Sequence, residues 1–230
     1  NPGFLPGACV GRPIGGIDVR IIAPVDGPIG ALADTRELPG GEIGEIIVRG
    51  PIVTHAYDAL PEATAAAKIP DAPSSSLGGS TTVWHRMGDL GTLEADGLLR
   101  FLGRRAERVR APGGDLPTEA VEPAFRAHPD VARCALIGLG TKAPFLPALV
   151  VEPREGRFPG NGGERERFIK GLRACARGNP AAARVDTFLF QAKLPVDVRH
   201  NAKIHRLRLA KEWTERLRAD RLNPWRRLFR

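Results

Sequence analysis

Trp84–Val109 reads WHRMGDLGTLEADGLLRFLGRRAERV, and this stretch decides the architecture. Its centre, Glu94-Ala95-Asp96-Gly97, ends on an Asp-Gly pair, the dipeptide that tolerates the positive φ of a tight hairpin turn. GTLE before it and LLRFL after it are then expected to pair as strands. Past Leu102 the chain changes character. Residues 103–115, GRRAERVRAPGGD, are dense in arginine and glycine with little to bury, which suits an exposed hinge between two domains. The reading is one domain over residues 1–103, a hinge at 104–106 and a second domain over 107–230.

Working upstream, residues 15–50 read as β structure. Ile17, Val19 and Ile21 alternate, and Glu45-Ile46-Ile47-Val48-Arg49 is a branched run bounded by glycine. Pro39-Gly40-Gly41 marks a turn, and PEATAAAKI from Pro61 predicts a helix with proline at a permitted first-turn position. Pro70–Ser80 has no apolar periodicity and reads as a flexible surface connection. Downstream, TEAVEPAFRAHPDV predicts a helix with Val121 and Phe125 on one face, against a cost of about 3 kcal/mol for an interior Pro123. Val131–Ile137 and Ala148–Val151 predict strands, and Glu164–Ala176 a helix. Leu207, Ala210, Trp213 and Leu217 recur at helical steps and mark an amphipathic last helix. The fold class is α+β.

Composition narrows the function. At 230 residues, 42% hydrophobic and 26% charged, the chain is an ordinary globular one of one or two domains. No run approaches the roughly 18 apolar residues of a membrane-spanning helix, and NPGFLPGACVGRP lacks a signal peptide's pattern. Cys9, Cys134 and Cys175 are far apart and without CxxC spacing, so neither disulfides nor zinc are indicated, and a cytoplasmic location is expected. Met87 is the single methionine of a chain that opens at Asn1, which predicts a piece of a longer protein. The net charge of +8 resides in Arg199–Arg230, where 11 Lys/Arg face 3 Asp/Glu. Such a tail suits an anionic partner or is simply a solvated basic helix.

The catalytic inventory is short. His55, His85, His128, His200 and His205 have no HExxH spacing, and there is no GxSxG, GxxxxGK[ST] or GxGxxG segment. Two places concentrate polar residues. In WHRMGD, Asp89 could accept hydrogen bonds from the adjacent hydroxyls of a ribose, or it caps a turn into LGTLEADG; spacing alone favours the cap. In LPVDVRHNAKI, Asp197, Arg199, His200, Asn201 and Lys203 crowd within seven residues. A loop lysine can approach a phosphate and a carboxylate together, or the loop is a solvated turn, and the residues leave these even.

With the segments CVGRPIGGIDVRII, LPGGEIGEIIVRGPIVTHAY with PEATAAAKI, WHRMGDLGTLEADGLLRFLGRRAERV, HPDVARCALIGL and LPVDVRHNAKI in that order, the chain resembles the C-terminal portion of the AMP-forming acyl-CoA synthetase and adenylate-forming superfamily. The WHRMGD, GRRAERV and PVDVRHNAKI forms look most like the β-lactone synthetases of bacterial olefin biosynthesis. The resemblance implies the end of a large N-terminal domain, with its distorted β-barrel part, followed by a small mobile C-terminal domain. It implies ATP-dependent activation of a 2-alkyl-3-hydroxy fatty acid as its acyl adenylate, closed to a β-lactone by the neighbouring hydroxyl without coenzyme A. It makes Asp89 the ribose-binding aspartate, Arg104 the arginine near the nucleotide and Lys203 the catalytic lysine. Asp197, Arg199, His200 and Asn201 would shape the lysine's loop.

ATP and Mg2+ are the implied cofactors, with the phosphate and magnesium ligands expected upstream of Asn1, so that this chain alone is expected not to complete adenylation. Where many acyl-CoA synthetases carry aspartate two residues after the GR arginine, this chain has Ala106, and it has Ala56 where glycine is common. A lactone-forming enzyme does not need the rotation to a thioester-forming pose that the hinge aspartate serves. The expected partners are the hydroxy acid, ATP and other olefin-biosynthesis enzymes. A fatty acyl-CoA synthetase or acyl-AMP ligase is the alternative. For the ligase reading nucleic acid is not an expected partner and peripheral membrane contact through the basic tail stays open; the third reading is a noncatalytic interaction domain whose basic tail, ending in WRRLFR, binds a nucleic acid, a membrane or a protein.

Overall fold

The computed structural model describes residues 6–71, 82–197 and 203–222. The Pro70–Ser80 connection falls mostly outside these, as do the WRRLFR end and Arg199, His200 and Asn201. The chain divides into two compact units, one over Pro6–Ala106 and one from Glu107 onward.

The first unit holds β1 (Ala8–Gly11), β2 (Asp18–Ile22), β3 (Gly44–Arg49), helix α1 (Pro61–Ala67), β4 (Lys68–Pro70), β5 (Val83–Leu93) and β6 (Leu99–Arg104). Its open antiparallel sheet runs β1-β6-β5-β3-β2, with β4 also paired to β5. The Asp-Gly hairpin forms as expected, since Gly97 takes φ +84° and the Asp96 carboxylate accepts the Leu98 N–H at 3.1 Å. Ile22, Ile29, Ile47, Ile69 and Trp84 make the core. The guanidinium carbons of Arg20 and Arg49 each lie 4.7 Å from the Trp84 ring, whose indole N–H donates to Asp71.

One irregularity in β5 positions the polar residues. Glu45 pairs with Leu90 and Ile47 with Arg86, so Met87, Gly88 and Asp89 all oppose Ile46 alone. This bulge, with Gly88 at φ +68°, turns the strand so that Asp89 faces Arg104 across the β5–β6 ladder.

The second unit holds β7 (Val109–Ala111), β8 (Gly114–Leu116), α2 (Thr118–Arg126), β9 (Val131–Leu139), β10 (Leu146–Pro153), α3 (Gly162–Ala176), β11 (Thr187–Phe190), β12 (Val196–Asp197), β13 (Lys203–Ile204) and α4 (Arg206–Leu222). Strand β10 pairs antiparallel with β9 and parallel with β11, and α3 stands between β10 and β11 in the chain, as a parallel connection needs. Both faces of this sheet are covered. Cys134 and Leu136 pack with Val121, Phe125 and Leu172 of α2 and α3, whereas Ala135 and Ile137 pack with Leu209 and Trp213 of α4. That two-sided burial is why Val131–Leu139 reads as an unbroken apolar run. Among the described residues no helix is long and apolar enough to cross a membrane.

Two expectations need correction. Residues 103–115 are not a loop with little to bury: they form the end of β6, a turn at Arg105–Glu107 and the β7–β8 hairpin, with Val109, Ala111 and Leu116 buried. Arginines at alternate positions masked a strand's inward-facing valine and alanine. The α2 helix itself forms as expected, with Pro123 inside it and Val121 and Phe125 fully buried on one face. In α4 the apolar face is centred on Leu209 and Trp213, with Ala210 and Leu217 beside them, and Leu207 points outward. Leu207 precedes Leu209 by two residues, over half a turn of helix.

His128, buried after α2, stacks on Phe168, and its Nδ1 accepts the Asp130 N–H at 3.2 Å. Burial pushes its pKa below the ordinary 6.5, against a smaller pull from the Asp130 charge. The unfolded ring therefore binds a proton more readily than the folded one, so stability is full above the unfolded value and declines as pH falls through it toward the folded pKa. The thermal midpoint is expected to drop between about pH 7.5 and about pH 5.5, and to drop less in His128→Gln. An equal drop in both proteins would remove His128 from the account.

Candidate functional site

Asp89 and Arg104 are cross-strand neighbours joined by an ion pair, Arg104 Nη1 to Asp89 Oδ1 at 2.9 Å. Asp89 is mostly covered, whereas Arg104 is half exposed, so the guanidinium orients a carboxylate that still reaches the surface. Asp89 lies within β5, the last of the three residues opposite Ile46.

Lys203 opens β13 opposite Asp197 of β12, so the two short strands fix the base of the lysine's loop. Its ammonium lies 3.7 Å from the Glu107 carboxylate and is half exposed. Glu107 also takes Arg206 Nη1 at 3.1 Å. Arg206 in turn holds Glu122 with two bonds of 2.8 Å each, and Glu122 accepts the Leu136 N–H at 2.9 Å. Burial opposes the charge on Arg206, but the hydrogen bonds and negative charge of Glu122, with Glu107 and Glu119 behind it, raise its pKa. The lysine therefore stands three residues ahead of a mostly covered guanidinium held by Glu107 and Glu122.

Another buried ion pair braces the bulge. Arg86, just before it, places Nη2 2.7 Å and Nε 3.1 Å from the two oxygens of Glu45, which is fully buried. Arg86 also donates to the carbonyls of Gly27 and Val25 at 2.6 Å each. Sequence reasoning missed Glu45, Arg86, Glu107, Glu122 and Arg206. The available signal was a charge inside an apolar run, as Glu122 stands between Val121 and Phe125.

The structure thus brings Asp89 to Arg104 in one unit and Lys203 to Glu107 and Asp197 in the other. Among the described residues no group of three or more His, Cys, Asp or Glu side chains could hold a metal.

A scan of protein-family models finds no match. The chain is 43% identical over 204 residues to the olefin β-lactone synthetase of Stenotrophomonas maltophilia and 44% identical over 204 residues to that of Xanthomonas campestris. Each match takes in 89% of this chain and 36% of the relative, so the chain spans about a third of the length of the curated relatives it matches. Among solved structures, ATP-bound MatB from Rhodopseudomonas palustris superposes with a TM-score of 0.66 at 23% identity, over 90% of this chain and 36% of that one. O-succinylbenzoate coenzyme A synthetase from Bacillus subtilis, in complex with AMP, gives 0.62 at 23% identity, over 87% and 35%. The solved structures share the mixed fold, and with two relatives at 43 and 44% identity over 89% of its length the chain belongs to the AMP-forming, adenylate-forming enzyme superfamily.

Proposed function

We propose that the chain is part of an ATP-dependent, AMP-forming ligase that activates a 2-alkyl-3-hydroxy fatty acid and closes it to a β-lactone in olefin biosynthesis. The observation that carries this reading is the 43–44% identity to two olefin β-lactone synthetases over nearly the whole chain. In this reading Asp89, oriented by Arg104, accepts hydrogen bonds from the ribose hydroxyls of ATP. Lys203 bridges the substrate carboxylate and the α-phosphate, where negative charge builds up as the carboxylate oxygen attacks phosphorus and pyrophosphate leaves. The 3-hydroxyl oxygen then attacks the acyl carbon, the acyl–phosphate C–O bond breaks to release AMP, and the hydroxyl proton passes to solvent. Because hydroxyl and carbonyl belong to one molecule, this step needs no second association. Mg2+ would travel with the nucleotide phosphates; the described side chains do not by themselves make a site for it, and no step is assigned to it.

The complete enzyme is expected to release AMP and β-lactone from a 2-alkyl-3-hydroxy acid and ATP without coenzyme A. AMP formation that requires coenzyme A would instead mark an acyl-CoA synthetase. Asp89→Ala is expected to raise the KM for ATP about 10- to 100-fold, the loss of charge-assisted hydrogen bonds, with a smaller change in kcat. An unchanged KM for ATP would remove Asp89 from the ribose site. The reading places the enzyme in the cytoplasm with other olefin-biosynthesis enzymes as partners. The exposed Arg208, Lys211, Arg216 and Arg218 of α4 suit a peripheral contact with anionic lipid, which salt would weaken.

A further inference from the structure

We infer that the Pro6–Ala106 unit carries a ligand site of its own, a cleft beside α1 and β4 that takes a small organic monoanion, a carboxylate on an apolar body, with Lys68 as its counter-ion. The cleft is open to solvent and has a volume of about 680 Å³, within the range of small-molecule sites, and Ile29, Leu60, Pro61 and Val83 contribute apolar walls. None of Asp89, Arg104 or Lys203 lines it. The inference therefore stands or falls apart from the ligase reading.

Two buried cations in this unit make the contrast. Arg86 is matched by the Glu45 carboxylate and by backbone carbonyls. Lys68, only 6% exposed, has no such match. Its Nζ donates to the Thr54 hydroxyl at 3.2 Å and lies 5.4 Å from the Tyr57 ring centroid, and among the described residues no carboxylate pairs with it. A buried ammonium without a carboxylate is costly, and burial accordingly pushes the Lys68 pKa down. His85, paired with Lys68 across the strands, is pushed down as well, first by burial and then by the lysine's charge, so it adds no positive charge at neutral pH.

The cleft lining contains no Asp, Glu or Arg, which leaves one ammonium to be answered. A single negative charge balances it, whereas a dianion such as phosphate would bury an unmatched charge. The apolar walls then account for the rest of the ligand.

Calorimetric titration of the complete enzyme with hexanoate, its acyl site filled beforehand with the 2-alkyl-3-hydroxy acid, is expected to show saturable 1:1 binding. Lys68→Met keeps the apolar stem and removes the charge, and is expected to weaken hexanoate about tenfold or more; uncharged 1-hexanol should be weaker by a similar factor. Should Lys68→Met fail to fold, the unaltered protein still decides, since hexanoate should bind about tenfold or more tighter than 1-hexanol. Equal hexanoate affinity in Lys68→Met, 1-hexanol binding as tightly as hexanoate, displacement of hexanoate by equimolar inorganic phosphate, or no hexanoate binding at millimolar concentration would each overturn the assignment.

Discussion

Lys203→Ala in the complete enzyme is expected to slow acyl-adenylate formation by about 10²–10³-fold, the usual consequence of removing one charged donor aimed at a developing anion. The fold should tolerate the change. The side chain is half exposed, and its recorded ion pair with Glu107 spans 3.7 Å, a distance and exposure at which such pairs contribute little. Single-turnover measurement of acyl adenylate, alongside thermal unfolding, separates the two effects. Adenylate formed at the parent rate would dismiss Lys203 from the chemistry, and a large drop in melting temperature would reassign it to structure. Lys203→Arg is a useful companion, because a planar guanidinium does not replace a compact ammonium that must approach two oxygens at once.

Arg86→Ala is expected to destabilise the Pro6–Ala106 unit by about 3–5 kcal/mol, the cost of leaving a buried carboxylate without its partner. Glu45 is fully buried and among the described residues would keep only Arg105, whose Nε lies 3.3 Å away, while the carbonyls of Val25 and Gly27 would lose donors held at 2.6 Å. Urea unfolding followed by Trp84 emission, with Trp213 and Trp225 replaced by phenylalanine, reads this unit specifically. A loss below about 1 kcal/mol would mean that water or Arg105 satisfies Glu45. Replacing both partners, Arg86→Met with Glu45→Leu, is expected to recover most of the loss, since an apolar pair leaves no buried charge behind.

Legibility in the sequence followed the range of each interaction. The Asp96-Gly97 hairpin was readable because its cause lies within four residues, and Val131–Leu139 because burial on two faces leaves an unbroken apolar string. Val109 and Ala111 were not, since the arginines between and beside them imitate a solvated loop. Arg206 and Glu122 meet from 84 positions apart, a pairing that no local pattern announces. Lys68 continues the alanine-rich rhythm of PEATAAAKI, yet the helix stops at Ala67 and the lysine is turned inward by pairing with β5. For Asp89 and Lys203 local spacing was neutral at best, and only the resemblance carried over several segments gave them roles.

The three residues that oppose Ile46 also limit how the gene can change. Strand side chains alternate, so losing one codon between Met87 and Asp89 would reverse the phase of the pleat there. Either Leu90, now sealed from water, would turn outward, or the acid before it would swap faces. The exposed Met87 side chain can vary, but the length of this stretch cannot.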